Sequence, residues 1–264
     1  MRAIDLTADL GEGFGAWSMG DDDALLNIVT SANVACGFHA GDPIIMDRTV
    51  RKCVEKQVGV GAQPGFPDLR GFGRRMMGLS ADEVRTDVLY QLGALSAFAA
   101  AHGTSVTHLS PHGRLGNLVV VDESYATAVV DAVASFDPEL PVMTQEGVMA
   151  RIARDRGLAV AVIGLADRAY NDDGTLVPRG EAGALVQDPN EVVARSVAMA
   201  VDGVVMSVSG HEVQIHCHSI LLHGDNPTAV QLATAVRDAL LAAGVRLAPV
   251  TEVLAAQNEK FEGV

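Results

Sequence analysis

The sequence predicts one α/β domain, a distorted (β/α) barrel of about seven parallel strands. Short apolar runs alternate with helical segments, and a polar, glycine-rich loop follows each run. This alternation is typical of parallel βα units. The chain has 264 residues, 48% hydrophobic and 20% charged, which suits one barrel and excludes a disordered composition. No shift in composition marks a boundary, so residues 1–264 are taken as a single barrel-like domain.

Seven apolar runs supply the predicted strands. They are Ala3–Ala8, Ser31–Ala35, Val58–Ala62, Val106–Leu109, Pro141–Met143, Ala159–Leu165 and Ile215–Leu222. Two further segments, Val204–Val208 and His211–Ile215, are compatible with extended structure but have no place in the repeating pattern.

Capping residues mark the predicted helices between these strands. Asp42-Pro43 combines a capping carboxylate with a proline in the first turn, and Ser80 with Glu83 forms a capping box. The helix after Ser80 is expected to continue to about Ala101. Further helix starts are Asp122, Asp188-Pro189 and Asn226-Pro227, and helix ends are expected at Gly103, Gly157 and Gly244.

The charge balance excludes some classes of partner. The chain carries 33 Asp and Glu against 19 Lys and Arg, a formal charge of −14, so nonspecific electrostatic binding to nucleic acid or anionic membrane is not expected. No apolar run reaches the roughly 20 residues of a membrane span. The N-terminus lacks the apolar core of a signal peptide, and we expect a cytoplasmic protein.

Polar residues follow almost every predicted strand. In a parallel barrel these loops meet at the C-terminal ends of the strands, where active sites lie. The residues expected to share this pocket are Asp9, Glu12, His39, Asp42, Arg74, Arg75, His112, Asp167, Arg168, His223 and Asp225. Their convergence, rather than any one of them, predicts the site.

Three of these residues are the candidate catalytic groups. His39 and His112 lie in glycine-rich turns with little apolar packing to explain them, and histidine titrates near neutral pH. Asp9 ends an apolar strand, where a carboxylate must be paired or bound to a cation. The alternative for Asp9 is a hydrogen-bonded structural role.

The remaining candidates are binding residues. Arg75, Arg168 and Arg179 could bind a carboxylate or phosphate, although a loop salt bridge would explain a glycine-flanked arginine equally well. Asp42 and Asp225 are also compatible with helix capping. Taken alone, the residues indicate hydrolysis of a small polar, anionic substrate.

Eight motifs, taken in order, resemble those of the LamB/YcsF family from about Ile4 to Leu254. They are Ala8–Gly13, Ser31–Asp42, Pro64–Asp68, Phe72–Arg75, Pro111–Gly113, Ala166–Tyr170, Leu176–Arg179 and His223–Asp225. The resemblance implies a barrel related to the deacetylases and glycoside hydrolases. It also implies ATP-dependent opening of the 5-oxoproline lactam to L-glutamate, with Mg²⁺ accompanying the ATP, and two partner subunits, B and C. Homo-oligomers and any further metal are left open.

The matching residues assign the pocket by resemblance. Asp9, His39 and His112 would be catalytic, and substrate or ATP would contact Glu12, Asp42, Arg75, Arg168, Arg179, His223 and Asp225. Five positions depart from the family pattern: Thr7, Gln63, Ser110, Gly116 and Ile163. Because these departures remove a histidine, a lysine and a carboxylate, two alternatives stay open. One is a divergent hydrolase, metal-assisted and independent of ATP, and the other is a non-catalytic substrate-binding subunit.

Overall fold

The computed structural model describes residues 2–223 and 228–261, which contain ten strands and nine α-helices. The strands are β1 (Ala3–Leu10), β2 (Ser31–Ala35), β3 (Gly59–Gln63), β4 (His108–Leu109), β5 (Val142–Thr144), β6 (Val160–Leu165), β7 (Val204–Met206), β8 (Glu212–Gln214), β9 (Ser219–Leu222) and β10 (Arg246–Leu247). The helices are α1 (Asp22–Leu25), α2 (Pro43–Lys56), α3 (Ala81–Ala101), α4 (Gly113–Leu118), α5 (Glu123–Phe136), α6 (Val148–Asp155), α7 (Pro189–Val201), α8 (Ala229–Ala242) and α9 (Val250–Phe261). None of these helices is both long and apolar enough to cross a membrane.

Seven parallel strands close into the predicted barrel. Strands β1 to β6 pair in sequence order, and β9 pairs with both β6 and β1. All seven predicted strands are present, although the last begins at Ser219 rather than Ile215. The short strand β10, which the sequence did not indicate, extends the barrel by pairing with Ala3 and Ile4 of β1.

The two segments without a place in the pattern form one hairpin outside the barrel. Strands β7 and β8 pair antiparallel, with Val205 opposite Val213. Both predicted extended segments are therefore confirmed, with narrower bounds.

The helix signals are confirmed where the structure describes them. The Asp42 carboxylate accepts hydrogen bonds from the backbone N–H groups of Ile44 and Ile45, and Ser80 with Glu83 forms the capping box. The start predicted at Asn226 lies outside the described residues.

The barrel interior has a polar half and an apolar half. Apolar side chains on the outer faces of the strands pack against the surrounding helices in one large core cluster. Inside the barrel, β5, β6 and β9 contribute a separate apolar cluster that includes Met143, Ile163 and Leu221. The inward positions of β1, β2 and β4 instead carry buried polar side chains: Asp5, Thr7, Asp9, Ser31, Asn33 and His108.

Hydrogen bonds connect the buried polar side chains of this half to one another and to neighbouring backbone groups. The Asp5 carboxylate accepts from the hydroxyls of Thr30 (2.7 Å) and Ser219 (2.5 Å), while burial raises its pKa to about 6. Thr7 donates to the Ser31 carbonyl oxygen at 3.1 Å. Since buried polar groups cost free energy unless they are paired, this network allows carboxylates to line a barrel interior.

Candidate active site

The candidate site lies at the C-terminal mouth of the barrel. Loops after four different strands bring Glu12, His39, His112 and His223 to this end. This is where the active sites of (β/α) barrels lie. Glu12, His39 and His112 are all at least 95% buried, so the mouth is lined by groups sheltered from bulk water.

His39 and His112 stack on one another at the centre of the mouth. Their ring centroids are 3.8 Å apart and their planes differ by 5°. Oε1 of Glu12 lies 3.6 Å from Nδ1 of His112 and 4.0 Å from Nε2 of His39. Two histidines 73 positions apart in the chain thus share one carboxylate.

The loop after β3 orients this pair. The Phe72 ring meets both imidazoles edge-on, at 5.0 Å from His112 and 5.7 Å from His39. Phe72 has a positive φ of 55°, which is uncommon for a residue other than glycine. Its carbonyl oxygen accepts a hydrogen bond from Nε2 of His112 at 3.0 Å. The strained backbone therefore fixes the orientation of the His112 ring.

Burial keeps both imidazoles neutral. It lowers the pKa of His112 to about 4, against the opposing attraction of Asp9. It also lowers the pKa of His39 well below its ordinary value, and the neighbouring His112 acts in the same direction. Both rings are therefore neutral near pH 7, and a neutral imidazole has a lone pair that can accept a proton.

Asp9 is held by a neighbouring strand. The amide nitrogen Nδ2 of Asn33 donates to Oδ1 of Asp9 at 3.1 Å, and Oδ1 of Asn33 lies 2.9 Å from Nε2 of His108. Sequence reasoning did not single out Asn33, although an amide inside an apolar strand opposite Asp9 was a usable signal.

A second group of charges faces the histidines. Nδ1 of His223 lies 2.5 Å from Oδ2 of Asp167, and Nε2 of His223 lies 2.7 Å from Nη2 of Arg179. Burial alone would lower the pKa of His223, but the Asp167 carboxylate outweighs it and the pKa is raised. Asp167 was expected in the pocket but was not among the residues assigned a role.

Arg168 is buried beside this group. Its guanidinium donates to the carbonyl oxygens of Ala184 (3.2 Å) and Val177 (2.7 Å). Burial and the neighbouring Arg179 lower its pKa to about 10, and Arg74 acts in the same direction. Arginines close enough to destabilise one another's charge form an electropositive region suited to an anion.

Two of the expected binding residues are engaged elsewhere. Two guanidinium nitrogens of Arg75 contact the Asp68 carboxylate, so Arg75 forms the loop salt bridge that was the alternative to a binding role. The neighbouring Arg74, by contrast, acts electrostatically on His39 and His112. Asp42 has the helix-capping role that was its alternative, since its carboxylate caps α2. The same carboxylate also accepts a hydrogen bond from the Gly15 N–H at 2.7 Å. Asp225 lies outside the described residues.

Departures from the family pattern lie in the barrel interior, at Thr7 and Ile163, and at its mouth, at Gln63. Gln63 is buried next to His39, where its side chain raises the histidine pKa against the effect of burial. Ile163 belongs to the apolar interior cluster with Met143 and Leu221. This part of the barrel interior is consequently apolar and offers no carboxylate at position 163.

Fold and site together define the class of protein: a (β/α) barrel with a histidine, carboxylate and arginine pocket at the C-terminal ends of its strands. The chain matches the LamB/YcsF family model over residues 4–255, and it belongs to this family. The family resemblance found in the motifs is therefore confirmed.

Similar proteins cover nearly the whole chain. A 5-oxoprolinase A subunit of Pseudomonas syringae pv. tomato, numbered 1, is 50% identical over 95% of this chain and 98% of its own. The 5-oxoprolinase A subunit of Pyrococcus horikoshii is 46% identical, and the match covers 95% of this chain and 99% of that protein. The crystal structure of a lactam utilization protein from Thermus thermophilus superposes with a TM-score of 0.89 at 44% identity, covering 94% and 99%.

A more distant likeness concerns the fold alone. The structure of a T48 deacetylase with substrate matches with a TM-score of 0.53 at 14% identity, over 97% of this chain and 92% of that one. The expected relation to deacetylase barrels is thus confirmed at the level of architecture.

Proposed function

We propose that this chain acts in opening the 5-oxoproline lactam to L-glutamate, as the A subunit of an ATP-dependent 5-oxoprolinase with partner subunits B and C. The names of similar proteins support this proposal, since they include 5-oxoprolinase A subunits and a lactam utilization protein. The observation that carries it is the stacked His39–His112 pair at the barrel mouth, with Arg74 close enough to act electrostatically on both rings.

The chemistry of lactam opening matches these groups. Water must lose a proton as it adds to the carbonyl carbon, and the ring nitrogen must gain one as the C–N bond breaks. Neutral His39 or His112 would take the first proton, and Asp9 would orient the base by its negative charge. The histidine that has taken this proton would then return it, as a general acid, to the departing nitrogen.

The arginines would hold the anionic part of the substrate. Arg168 and Arg179 act electrostatically on Asp167, and Arg74 acts on Arg168. Such a group of arginines suits either the carboxylate of 5-oxoproline or a phosphate of ATP. When ATP is bound, its terminal phosphoryl group would activate the lactam oxygen with release of ADP, and it would leave as inorganic phosphate as the glutamate carboxylate forms. The chain itself contributes orientation of the substrate and positions for proton transfer.

The test is glutamate formation from 5-oxoproline with ATP and Mg²⁺, using this chain alone and then with its cognate B and C subunits. We expect glutamate only from the complete mixture, and His112→Ala should abolish it while His211→Gln, at the exposed hairpin turn, should not. Glutamate from the chain alone without ATP would instead indicate a divergent hydrolase. Substrate binding without turnover in assembled complexes would indicate a substrate-binding subunit.

A further inference from the structure

Three donor groups converge at the barrel mouth. One ligand atom each from Glu12, His39 and His112 lies within 4.8 Å of the others, and all three side chains are buried. We propose that these three residues bind one divalent transition-metal ion. This site is separate from the Mg²⁺ that would accompany ATP. A ring nitrogen that binds the ion cannot also accept a proton, so with the metal bound the activation of water would pass from the two imidazoles to the ion.

The hydrogen bonding of His112 gives the first argument. A carbonyl oxygen can only accept, so the contact with Phe72 requires the proton of the neutral ring to be on Nε2. Nδ1 then directs a lone pair toward Oε1 of Glu12, 3.6 Å away. Two acceptor atoms facing each other in a buried site repel, and a cation bound between them converts that repulsion into coordination.

The environment of His39 gives the second argument. This side chain is fully buried, and within the described residues neither ring nitrogen has a hydrogen bond of ordinary geometry. A buried imidazole without such bonds costs free energy that a bound ligand would offset. Its Nε2 is the atom that faces Glu12, at 4.0 Å.

Two glycines permit the enclosure of His39. A Cβ at Gly65 would lie 2.6 Å from Nδ1 of His39, and one at Gly73 would lie 2.8 Å from its Cβ. The loops after β3 therefore close over this ring only because they lack side chains at these points. The two rings are stacked face to face, so one ring must turn for both to bind one metal ion.

The donor set identifies the class of metal. Two imidazole nitrogens and one carboxylate favour Zn²⁺ or a neighbouring first-row ion over Mg²⁺ or Ca²⁺, which prefer oxygen ligands. Three protein ligands leave a coordination position for water or a substrate oxygen. The Asp9 carboxylate, whose charge acts on the ligand His112, adds negative charge beside this donor set.

The experiment measures metal binding directly, without ATP or lactam. The purified full-length chain is stripped with a chelator and titrated with Zn²⁺ by calorimetry and with Co²⁺ by visible absorption. We expect one equivalent to bind, with a Co²⁺ spectrum typical of nitrogen and oxygen ligation. His39→Gln and Glu12→Gln should weaken binding by more than the roughly 10- to 100-fold that loss of an outer hydrogen-bonding partner costs.

The matched control is His211→Gln, which removes a histidine from an exposed histidine–aspartate pair and should leave the affinity unchanged. Glu12→Gln preserves side-chain shape, and circular dichroism of the metal-free proteins separates lost binding from misfolding. Absence of binding, or binding that survives in both site variants, would overturn the proposal. Failure of lactam turnover would leave the metal measurement unaffected, so the two proposals fail separately.

Discussion

Nε2 of His108 lies 2.9 Å from Oδ1 of Asn33, and this contact orients an amide that reaches the candidate site. Because Oδ1 accepts from the histidine, Nδ2 is directed to the Asp9 carboxylate, 3.1 Å away. His108 thus acts on Asp9 through Asn33 without touching the mouth itself.

Replacing the central amide should destabilise the barrel. Asn33→Leu removes the partners of Oδ1 of Asp9 and Nε2 of His108, and each loss costs about 1–3 kcal/mol. We expect the free energy of unfolding in urea to fall by about 2–5 kcal/mol. Asn27→Ala, which removes an exposed hydrogen bond to the Asp23 carbonyl, is the matched control and should change it by less than about 1 kcal/mol. Equal losses in the two variants would show that the hydrogen bonds from His108 through Asn33 to Asp9 do not stabilise the barrel.

His108 should also make stability depend on pH. Burial lowers its pKa from 6.5 to about 3. Between these values the unfolded chain binds a proton that the folded chain does not, so stability falls as pH falls, by up to about 1.4 kcal/mol per pH unit. Urea unfolding between about pH 4 and pH 7 should show a shallower slope for His108→Gln than for the parent.

Asp5 should oppose this dependence. Its pKa is raised from 3.8 to about 6 by burial, so in that interval the folded chain holds a proton that the unfolded chain has lost. Acid therefore stabilises through Asp5, and the parent slope is a difference of two effects. Asp5→Asn should steepen the loss of stability below about pH 6. An unchanged slope would mean that the carboxyl is ionised in the folded barrel.

Gly61 leaves the space that the His108 ring occupies. A Cβ built at this residue would lie 2.0 Å from Nε2 of His108. Gly61→Ala should lower the free energy of unfolding by about 1–3 kcal/mol, because the ring must move and its bond to Asn33 is disturbed. Gly93→Ala, in α3 with open space around the added carbon, should instead stabilise by about 0.5–1 kcal/mol. A loss of the same size at both glycines would exclude the steric explanation.

The Asp167 carboxylate should set the charge of His223. Asp167→Asn removes the attraction that outweighs burial, so the pKa of His223 should fall below its ordinary value. Titration of the histidine ring protons by NMR measures this shift. Asp172→Asn, in the exposed pair with His211, should leave His223 unchanged. A pKa of His223 that stays raised in Asp167→Asn would assign the effect to Asp9.

Arg74 and Arg75 should differ in their contribution to substrate binding. Arg74→Ala removes a charge that acts on both histidines and should raise KM for 5-oxoproline about 10- to 100-fold, the value of a charge-assisted hydrogen bond. Arg75→Ala removes a partner of Asp68 and should change KM by less than about threefold. A larger increase in KM for Arg75→Ala than for Arg74→Ala would show that Arg75, and not Arg74, contacts the substrate.

The fold was predictable because its signals are local. Each barrel strand is an apolar run ending in a glycine-rich loop, and helix caps such as Asp42 act on the next three residues. Strand β10 gave no such signal, since two residues become a strand only by meeting Ala3 and Ile4.

The residues of the mouth were predictable, but their partners were not. Loop positions predicted that His39 and His112 would converge, whereas their stacking depends on the conformation of Phe72. No local pattern distinguishes Arg74 from Arg75, because the choice is made by Asp68 in the folded loop. Asn33 acts only through partners on two other strands.

Closure of the barrel by β9 imposes an order on folding during synthesis. The hydroxyl of Ser219 donates to the Asp5 carboxylate across 214 positions of the chain. Until the ribosome has released residues 219–222, β1 lacks one of its two barrel neighbours and the buried carboxyl lacks that donor. The nascent chain must therefore keep its first strand from pairing with other polypeptides until the closing strand emerges.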